Sequence, residues 1–245
     1  MQRYRFDISY DGTAYVGWQI QPNGLAIQEV IQDAMERILC KRIKLHGSGR
    51  TDQGVHARKQ VAHADISSSW LPGKLTTALN AVLPPDIRIM RATKVPQTFH
   101  ARHSVRLKEY RYFIWNSDVM PPTKRHYATH MRQPLDAVAM QKAADYLVGT
   151  HDFSAFSANP KRHVESHVRR LERLDIRKRG AEITIIAAGE GFLYKMVRSL
   201  AGFLMRVGEG TVPPATAKEI LASAVRTARV PTAPPEGLFL WNVTY

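Results

Sequence analysis

This chain has a single cysteine, Cys40. One thiol cannot close an internal disulfide, and without a Cys-x-x-Cys pair there is no zinc site of that kind. Both absences fit a reducing compartment. Long apolar runs are missing as well, so no stretch is long enough to cross a bilayer. The first residues, Met1-Gln2-Arg3-Tyr4-Arg5-Phe6-Asp7, alternate like a strand and lack the apolar core of a signal peptide. A cytoplasmic protein with no membrane partner is expected. Acidic residues are scarce: 21 Asp plus Glu stand against 35 Lys plus Arg, a net charge of +14 over 245 residues. Such a surplus points first to nucleic acid, although charge also serves plain solubility.

Several catalytic signatures are absent too. No Gly-x-Ser-x-Gly elbow supports a serine hydrolase. Gly49 and Gly54 have P-loop spacing, but Val55-His56 replaces Lys-Ser/Thr and Asp52 inside the loop would repel phosphate. His126/His130 and His163/His167 are spaced like helical metal pairs. Neither is His-Glu-x-x-His, neither segment has a clear helical pattern, and Glu165 reads as a surface contact of His163. No metal is expected.

The sequence is built around Leu45–Lys59, LHGSGRTDQGVHARK. Gly47, Gly49 and Gly54 bracket Arg50, Thr51 and Asp52, which describes a tight loop with little bulk of its own. A carboxylate at its apex opposes binding of a polyanion, so chemistry is one reason for it. The other reading is a polar turn in which Thr51 and Asp52 cap backbone amides.

Hydrophobic content of 44 % describes a globular chain of one large or two modest domains. Tyr4, Phe6, Ile8 and Tyr10 alternate over a strand at Arg3–Tyr10. Ile27, Val30, Ile31, Ala34, Met35, Ile38 and Leu39 mark a helix face. Strands follow at Lys44–Ser48 and Ala57–Asp65, then a helix marked by Leu75, Ala78, Leu79 and Val82 and stopped by Pro84-Pro85, then a strand at Ile87–Thr93. The order is βαββαβ, the split βαβ pattern of ferredoxin-like domains. After a crossover at Pro96–Ser104 the order repeats. The strand Glu109–Trp115 precedes a helix stripe of Leu135, Val138, Ala139, Ala143, Tyr146 and Leu147. Strands Val168–Lys178 and Glu182–Ala188 flank a hairpin at Arg179-Gly180-Ala181. A helix with Leu193, Met196, Val197, Leu200, Leu204 and Val207, an extra helix near Thr216–Arg226 and a strand at Leu238–Val243 complete it. The expected fold is α+β: two ferredoxin-like halves, 1–104 and 105–245, joined into one continuous antiparallel sheet. Helices would lie on one face, leaving the other free for a ligand.

Basic residues gather near strand edges: Arg50, Arg58 and Lys59 around the loop, and Arg102, His103, Arg106 and Lys108 before the second-half strand. Arg169, Arg173, Arg177 and Arg179 are expected on one strand face. Singly each is a solvated charge; together they suit a phosphate backbone. Tyr110 either stacks on an unpaired base or is plain strand core. Arg198 lies on the apolar side of its helix, where it needs an anionic partner, Asp52 being one, or must snorkel to solvent.

Gly49-Arg50-Thr51-Asp52-Gln53-Gly54-Val55-His56-Ala57 closely resembles the catalytic motif of the tRNA pseudouridine synthase A family. Six further motifs follow in family order. They are Tyr10-Asp11-Gly12-Thr13 with Gly17-Trp18-Gln19, Phe99-His100-Ala101-Arg102, Glu109-Tyr110-Arg111-Tyr112, Asp152-Phe153-Ser154-Ala155-Phe156, Tyr194-Lys195-Met196-Val197-Arg198 and Glu236-Gly237-Leu238-Phe239-Leu240. The departures are mild, Gln53 standing where many members have Ala and Ser199 where many have Asn.

The resemblance implies isomerisation of uridine to pseudouridine at positions 38, 39 and 40 of the tRNA anticodon stem-loop. It implies a homodimer without cofactor or metal, tRNA lying across both subunits, and a catalytic cleft between the halves. An aspartate carboxyl ordinarily titrates at about 3.9, so Asp52 is expected ionised, as nucleophile at C1′ or as base toward a ribose proton. By resemblance Arg198 pairs with Asp52, and Tyr110 stacks on the base and serves in C5 proton abstraction. Arg50 helps splay the nucleotide out of its helix. Arg58, Arg102 and Lys195 are further candidate RNA contacts, and His56 is loop support. Two rivals stand beside this reading. A non-catalytic RNA-binding module does not explain an Asp among basic residues. A metal-dependent nuclease wants several clustered carboxylates, and the loop offers one.

Overall fold

The structure, a computed structural model, describes residues 1–67, 69–158 and 165–245. The chain divides into two compact units, Met1–Arg106 with Phe239–Tyr245, and Leu107–Leu238. The division thus falls after Arg106 instead of residue 104, and the last seven residues belong with the first unit, not the second.

In the first unit, β1 (Gln2–Tyr10) lies between β3 (His56–Ile66) and β4 (Ile87–Val95), antiparallel to both. The short β2 (His46–Gly47) pairs with β3 at His46↔His63, so the order is β4-β1-β3-β2, as the split βαβ pattern requires. Along β1 the pleat sends Tyr4, Phe6, Ile8 and Tyr10 to one side, and all four are buried. That side forms the core with Ile27, Ile31 and Met35 of α1 (Ile27–Leu39) and Leu75 and Leu79 of α2 (Pro72–Val82). Pro72 opens α2 where its missing N–H is no loss, and Pro84-Pro85 cannot continue it.

Two expectations are corrected here. The sheet is mixed, because β10 (Leu238–Thr244) pairs in parallel with β3 at Phe239↔His56 and Leu240↔Ala57. An antiparallel direction is imposed only by a short hairpin; β10 reaches β3 after the whole second unit has intervened. Nor is the face opposite the helices free in this unit. The crossover segment lies over it: Ala101 N–H donates to His63 Nδ1 at 3.1 Å, and Phe99 meets His63 edge-on at 6.2 Å. The Tyr245 hydroxyl donates to the Ala101 carbonyl at 2.7 Å, fastening the segment from the chain's last residue.

In the second unit the order is β5-β9-β8-β7, all antiparallel, from β5 (Leu107–Asn116), β9 (Glu182–Gly189), β8 (Val168–Arg179) and β7 (Gly149–Asp152). A three-residue strand, β6 (Thr129–Met131), joins β5 in parallel after a crossover of residues 117–128, so parallel pairing occurs in this unit too. β6 and β7 were not readable in the sequence. Gly149 and Asp152 are poor strand formers, and pairing with β8 supplies what propensity does not. Asp136 caps α3 (Ala137–Asp145), its carboxylate accepting from the Val138 and Ala139 amides. Val138, expected in the apolar stripe, is 65 % exposed in the first turn of α3, whose buried residues are Met140, Ala143 and Ala144. α3 contacts β8 and α4 (Met196–Gly208) contacts β5. The core holds Tyr112, Ile114, Leu174, Ile185, Met140, Leu200 and Phe203, and α5 (Thr216–Ser223) completes the unit. Among the described residues, no helix is long and apolar enough to cross a membrane.

The imidazoles beneath the crossover segment make the first unit acid-sensitive. Burial, with His100, His46 and Arg3 nearby, pushes His63 from 6.5 down to about 4, against the opposing pull of Asp65. His46 and His100 are lowered too, chiefly by burial. The unfolded chain therefore binds more protons than the folded one between pH 6.5 and 4, and stability falls as pH falls through that window. Asp65, lowered mainly by its hydrogen bond from Arg3, adds a loss of the same sign. Melting temperatures measured from pH 7.5 to 4 should drop steeply below 6.5, and His63→Gln should show a shallower drop.

Candidate active site

Asp52 sits on a turn zipped to the segment that follows β1. Gly17 and Asp52 form a backbone bridge, and Trp18 N–H donates to the Thr51 carbonyl at 3.1 Å. Val55 N–H closes the turn on the Asp52 carbonyl at 3.2 Å, and Gly54 N–H reaches the Tyr15 carbonyl at 3.4 Å. The same segment enters α1 directly, Ile27 N–H donating to the Gly17 carbonyl at 3.1 Å and Gln28 N–H to that of Trp18 at 3.0 Å. Gly17 has φ 110, and a Cβ there would stand 2.5 Å from the Thr51 carbonyl oxygen. Only glycine permits both the angle and the approach. Thus the N-terminal motif is the wall against which the aspartate turn is built.

Buried side chains support the turn from below. The Tyr10 and Thr51 hydroxyls are 2.8 Å apart, and burial pushes the Tyr10 phenol far above its ordinary range, so it stays neutral. Gln60 donates to the Gly49 carbonyl at 2.9 Å while its Oε1 accepts from Ser48 Oγ at 2.6 Å and from the Val61 amide at 3.1 Å. None of the sequence motifs includes Gln60. Its signal was an amide at a core-facing position of an otherwise apolar strand run. His56 is fully buried, stacked on Phe239 at 4.5 Å, with its Nδ1 taking the Gly12 N–H at 3.0 Å and lying 3.1 Å from Asp11 Oδ1.

Asp52 itself is half-buried and Arg50 exposed. The Arg58 guanidinium lies over the Trp241 ring, 4.5 Å from its centroid. Arg102 is exposed on the crossover segment, next to the residue bonded to His63. His63 lies seven positions beyond His56 in β3, roughly 20 Å along the strand. The first unit therefore gathers Arg50, Asp52 and Arg58 around one turn and places Arg102 elsewhere.

In the second unit Tyr110 is buried on the same side of β5 as Tyr112 and Ile114, opposite Ala187 of β9. Its ring meets Phe192 edge-on at 5.1 Å. From that Phe the chain turns into α4 through Lys195, which has φ 55, with its ammonium over the Tyr194 ring at 5.0 Å. Arg198 follows in the first turn of α4, half-buried, its Nε donating to the Ala233 carbonyl at 2.7 Å. Tyr110, Lys195 and Arg198 thus belong to one neighbourhood of β5, the Phe192 loop and the α4 start.

The expected common face of Arg169, Arg173, Arg177 and Arg179 is corrected. A register shift between Leu171 and Arg173 reverses the alternation, so Arg169 shares the side of buried Leu171 while Arg173, Arg177 and Arg179 take the other. His130 Nε2 is 2.8 Å from the Ser117 carbonyl, and His163 lies outside the described residues. Among the described residues no group of three or more His, Cys, Asp or Glu is placed to hold a metal ion.

A strongly basic α+β chain that builds one carboxylate into a glycine-walled turn has the make-up of an RNA-modifying enzyme. The family model described as tRNA pseudouridine synthase matches residues 8–104 and 143–245, and the chain belongs to that family. It is accordingly an isomerase acting on uridine in tRNA. Relatives named tRNA pseudouridine synthase A are similar to it over its full length. That of Brevibacillus brevis is 45 % identical over 245 residues, 100 % of both chains. That of Exiguobacterium sp. is 41 % identical over 100 % of this chain and 98 % of its own. That of Chlamydia felis is 45 % identical over 100 % and 92 %.

Gly17→Ala tests the wall. Strain at φ 110 costs about 1–3 kcal/mol and the clash adds to it. The variant should melt several degrees lower and lose most turnover, with tRNA affinity largely kept; unchanged turnover would show that the turn does not depend on this contact.

Proposed function

We propose that the protein isomerises uridine in the tRNA anticodon stem-loop, at positions 38, 39 and 40, with Asp52 as the reacting carboxylate. The observation that carries this reading is the Asp52 turn. In a chain of net charge +14, a carboxylate is held half-buried by backbone bonds on a glycine wall, a placement that opposes simple phosphate binding. In the reaction the C1′–N1 bond breaks, the base turns over, and a C5–C1′ bond forms. C5 loses a proton and N1 gains one, so the product is an isomer. Asp52 either attacks C1′ or takes a ribose proton, both requiring the ionised form. Arg198 pairs with that carboxylate and aims it. Tyr110 stacks on the base and serves the C5 proton transfer. Arg50 assists extrusion of the nucleotide, at a cost of a few kcal/mol. Arg58, Lys195 and, farther along the sheet, Arg102 are backbone contacts to the RNA.

The family resemblance supports a homodimer with tRNA across both subunits. The exposed Cys40, the chain's one thiol, suits a cytoplasmic location.

tRNA carrying tritium at uridine C5 should release it with wild-type protein and not with Asp52→Asn, while both bind tRNA equally. Release by Asp52→Asn near the wild-type rate would overturn the assignment of Asp52. Binding should weaken linearly on a log–log plot against salt, and a flat profile would argue against phosphate contacts.

A further inference from the structure

A stretch without helix or strand runs from the end of α5 to the start of β10, carrying Pro231, Pro234 and Pro235. It is fastened to the first turn of α4 residue by residue. Arg198 accepts the Ala233 N–H on its carbonyl at 3.0 Å and returns its own Nε–H to the Ala233 carbonyl at 2.7 Å. The next residue, Ser199, is wholly buried, and its hydroxyl takes a hydrogen bond from Arg226 Nη1 at 2.8 Å. Arg226 Nη2 reaches the Thr232 hydroxyl, beside Ala233, at 2.9 Å. Residues 198 and 199 of the helix thus face 233 and 232 of the stretch, with the Arg226 guanidinium bridging the second rung.

Two more contacts fix the same segment. A Cβ at Gly202, one turn along α4, would stand 2.1 Å from the Pro231 carbonyl oxygen, so the stretch lies directly on the helix backbone. The Tyr112 hydroxyl donates to the Pro234 carbonyl at 2.9 Å. Arg226 is an unusual choice for such a rung. It is half-buried, it donates to two neutral hydroxyls, and desolvation lowers its pKa. A rigid planar fork spanning two hydroxyls supplies geometry that an apolar side chain would not.

We infer that Arg226 is a positioning residue for Arg198: by locking Thr232 to Ser199 it fixes the Ala233 carbonyl, which in turn sets the plane of the Arg198 guanidinium. With Nε committed to that carbonyl, the Nη1–Nη2 edge is the one that meets a carboxylate. Ser199 and Thr232 belong to the device as the two hydroxyls on which the fork closes. The inference rests on the reading that Arg198 serves the reaction through Asp52.

The test compares Arg198→Ala, Arg226→Met, Arg226→Lys and Thr232→Val in steady-state tritium release, at a temperature well below each variant's melting point. Arg226→Met should lower kcat about tenfold or more, as expected of a misplaced catalytic partner, with KM for tRNA within about twofold. The loss of kcat at an unchanged KM, recovered in part by the conservative Arg226→Lys, is the signature that a merely structural role would not give. Arg226→Lys and Thr232→Val should fall between Met and wild type. If Arg198→Ala abolishes turnover while Arg226→Met keeps the kcat of wild type, the positioning role is overturned. If Arg198→Ala itself retains turnover, it is the reading of Arg198 that fails.

Discussion

The backbone bridge between Gly17 and Asp52 is the constraint on which the first unit's polar site depends. It joins three things that would otherwise vary independently: the end of β1, the start of α1 and the turn bearing the carboxylate. Because the bonds are main chain to main chain, the turn's shape is set by where the sheet and helix place their backbones. Side chains then adjust only the floor, through Tyr10, Thr51 and Gln60. Glycine at 12 and 17 follows from this, since a Cβ at either would meet a carbonyl of the opposite strand of the zipper. The backbone that carries the carboxylate is thereby fixed, as preorganisation of the proposed reacting group requires.

The second unit solves a different problem with different means. It holds polar groups at the end of an otherwise apolar helix, where eleven of the thirteen α4 residues are buried. Arg198 and Arg226 leave that environment by bonding to carbonyl and hydroxyl groups of the proline-rich stretch laid over the helix.

The large positive charge is not spread evenly over usable surface. Glu109 accepts from Arg111 at 2.8 Å and from Arg173 at 2.7 Å, so these cations are absorbed into a network on one sheet face. Arg3 is likewise taken up by Asp65 at 2.7 Å. Arg50, Arg102, Arg177 and Arg179 remain exposed. Net charge alone overstates how many residues can meet a phosphate; the pairs must be subtracted first.

Much of this was legible in the order of residues. Alternation in β1, the apolar stripes of α1 and α4 and the proline stop after α2 are local patterns, each the direct product of a pleat, a helical turn or a missing N–H. The glycines around Asp52 also announced a tight turn, and the ordered motifs announced the family. What the sequence could not reveal were the outcomes that depend on partners distant along the chain. The parallel pairing of β10 with β3, the strands β6 and β7, the reversal of the arginine face at the β8 bulge and the crossover lying over His63 all belong here. So do the buttress at Gln60 and the rung from Arg226 to Ser199 and Thr232. Local periodicity determined most of the elements, because those follow from the backbone's own repeat, and the ordered motifs marked the residues proposed to carry the chemistry. Only the tertiary structure decided which neighbour each element takes and which polar atom each buried side chain finds, because hydrogen-bond partners are chosen in space.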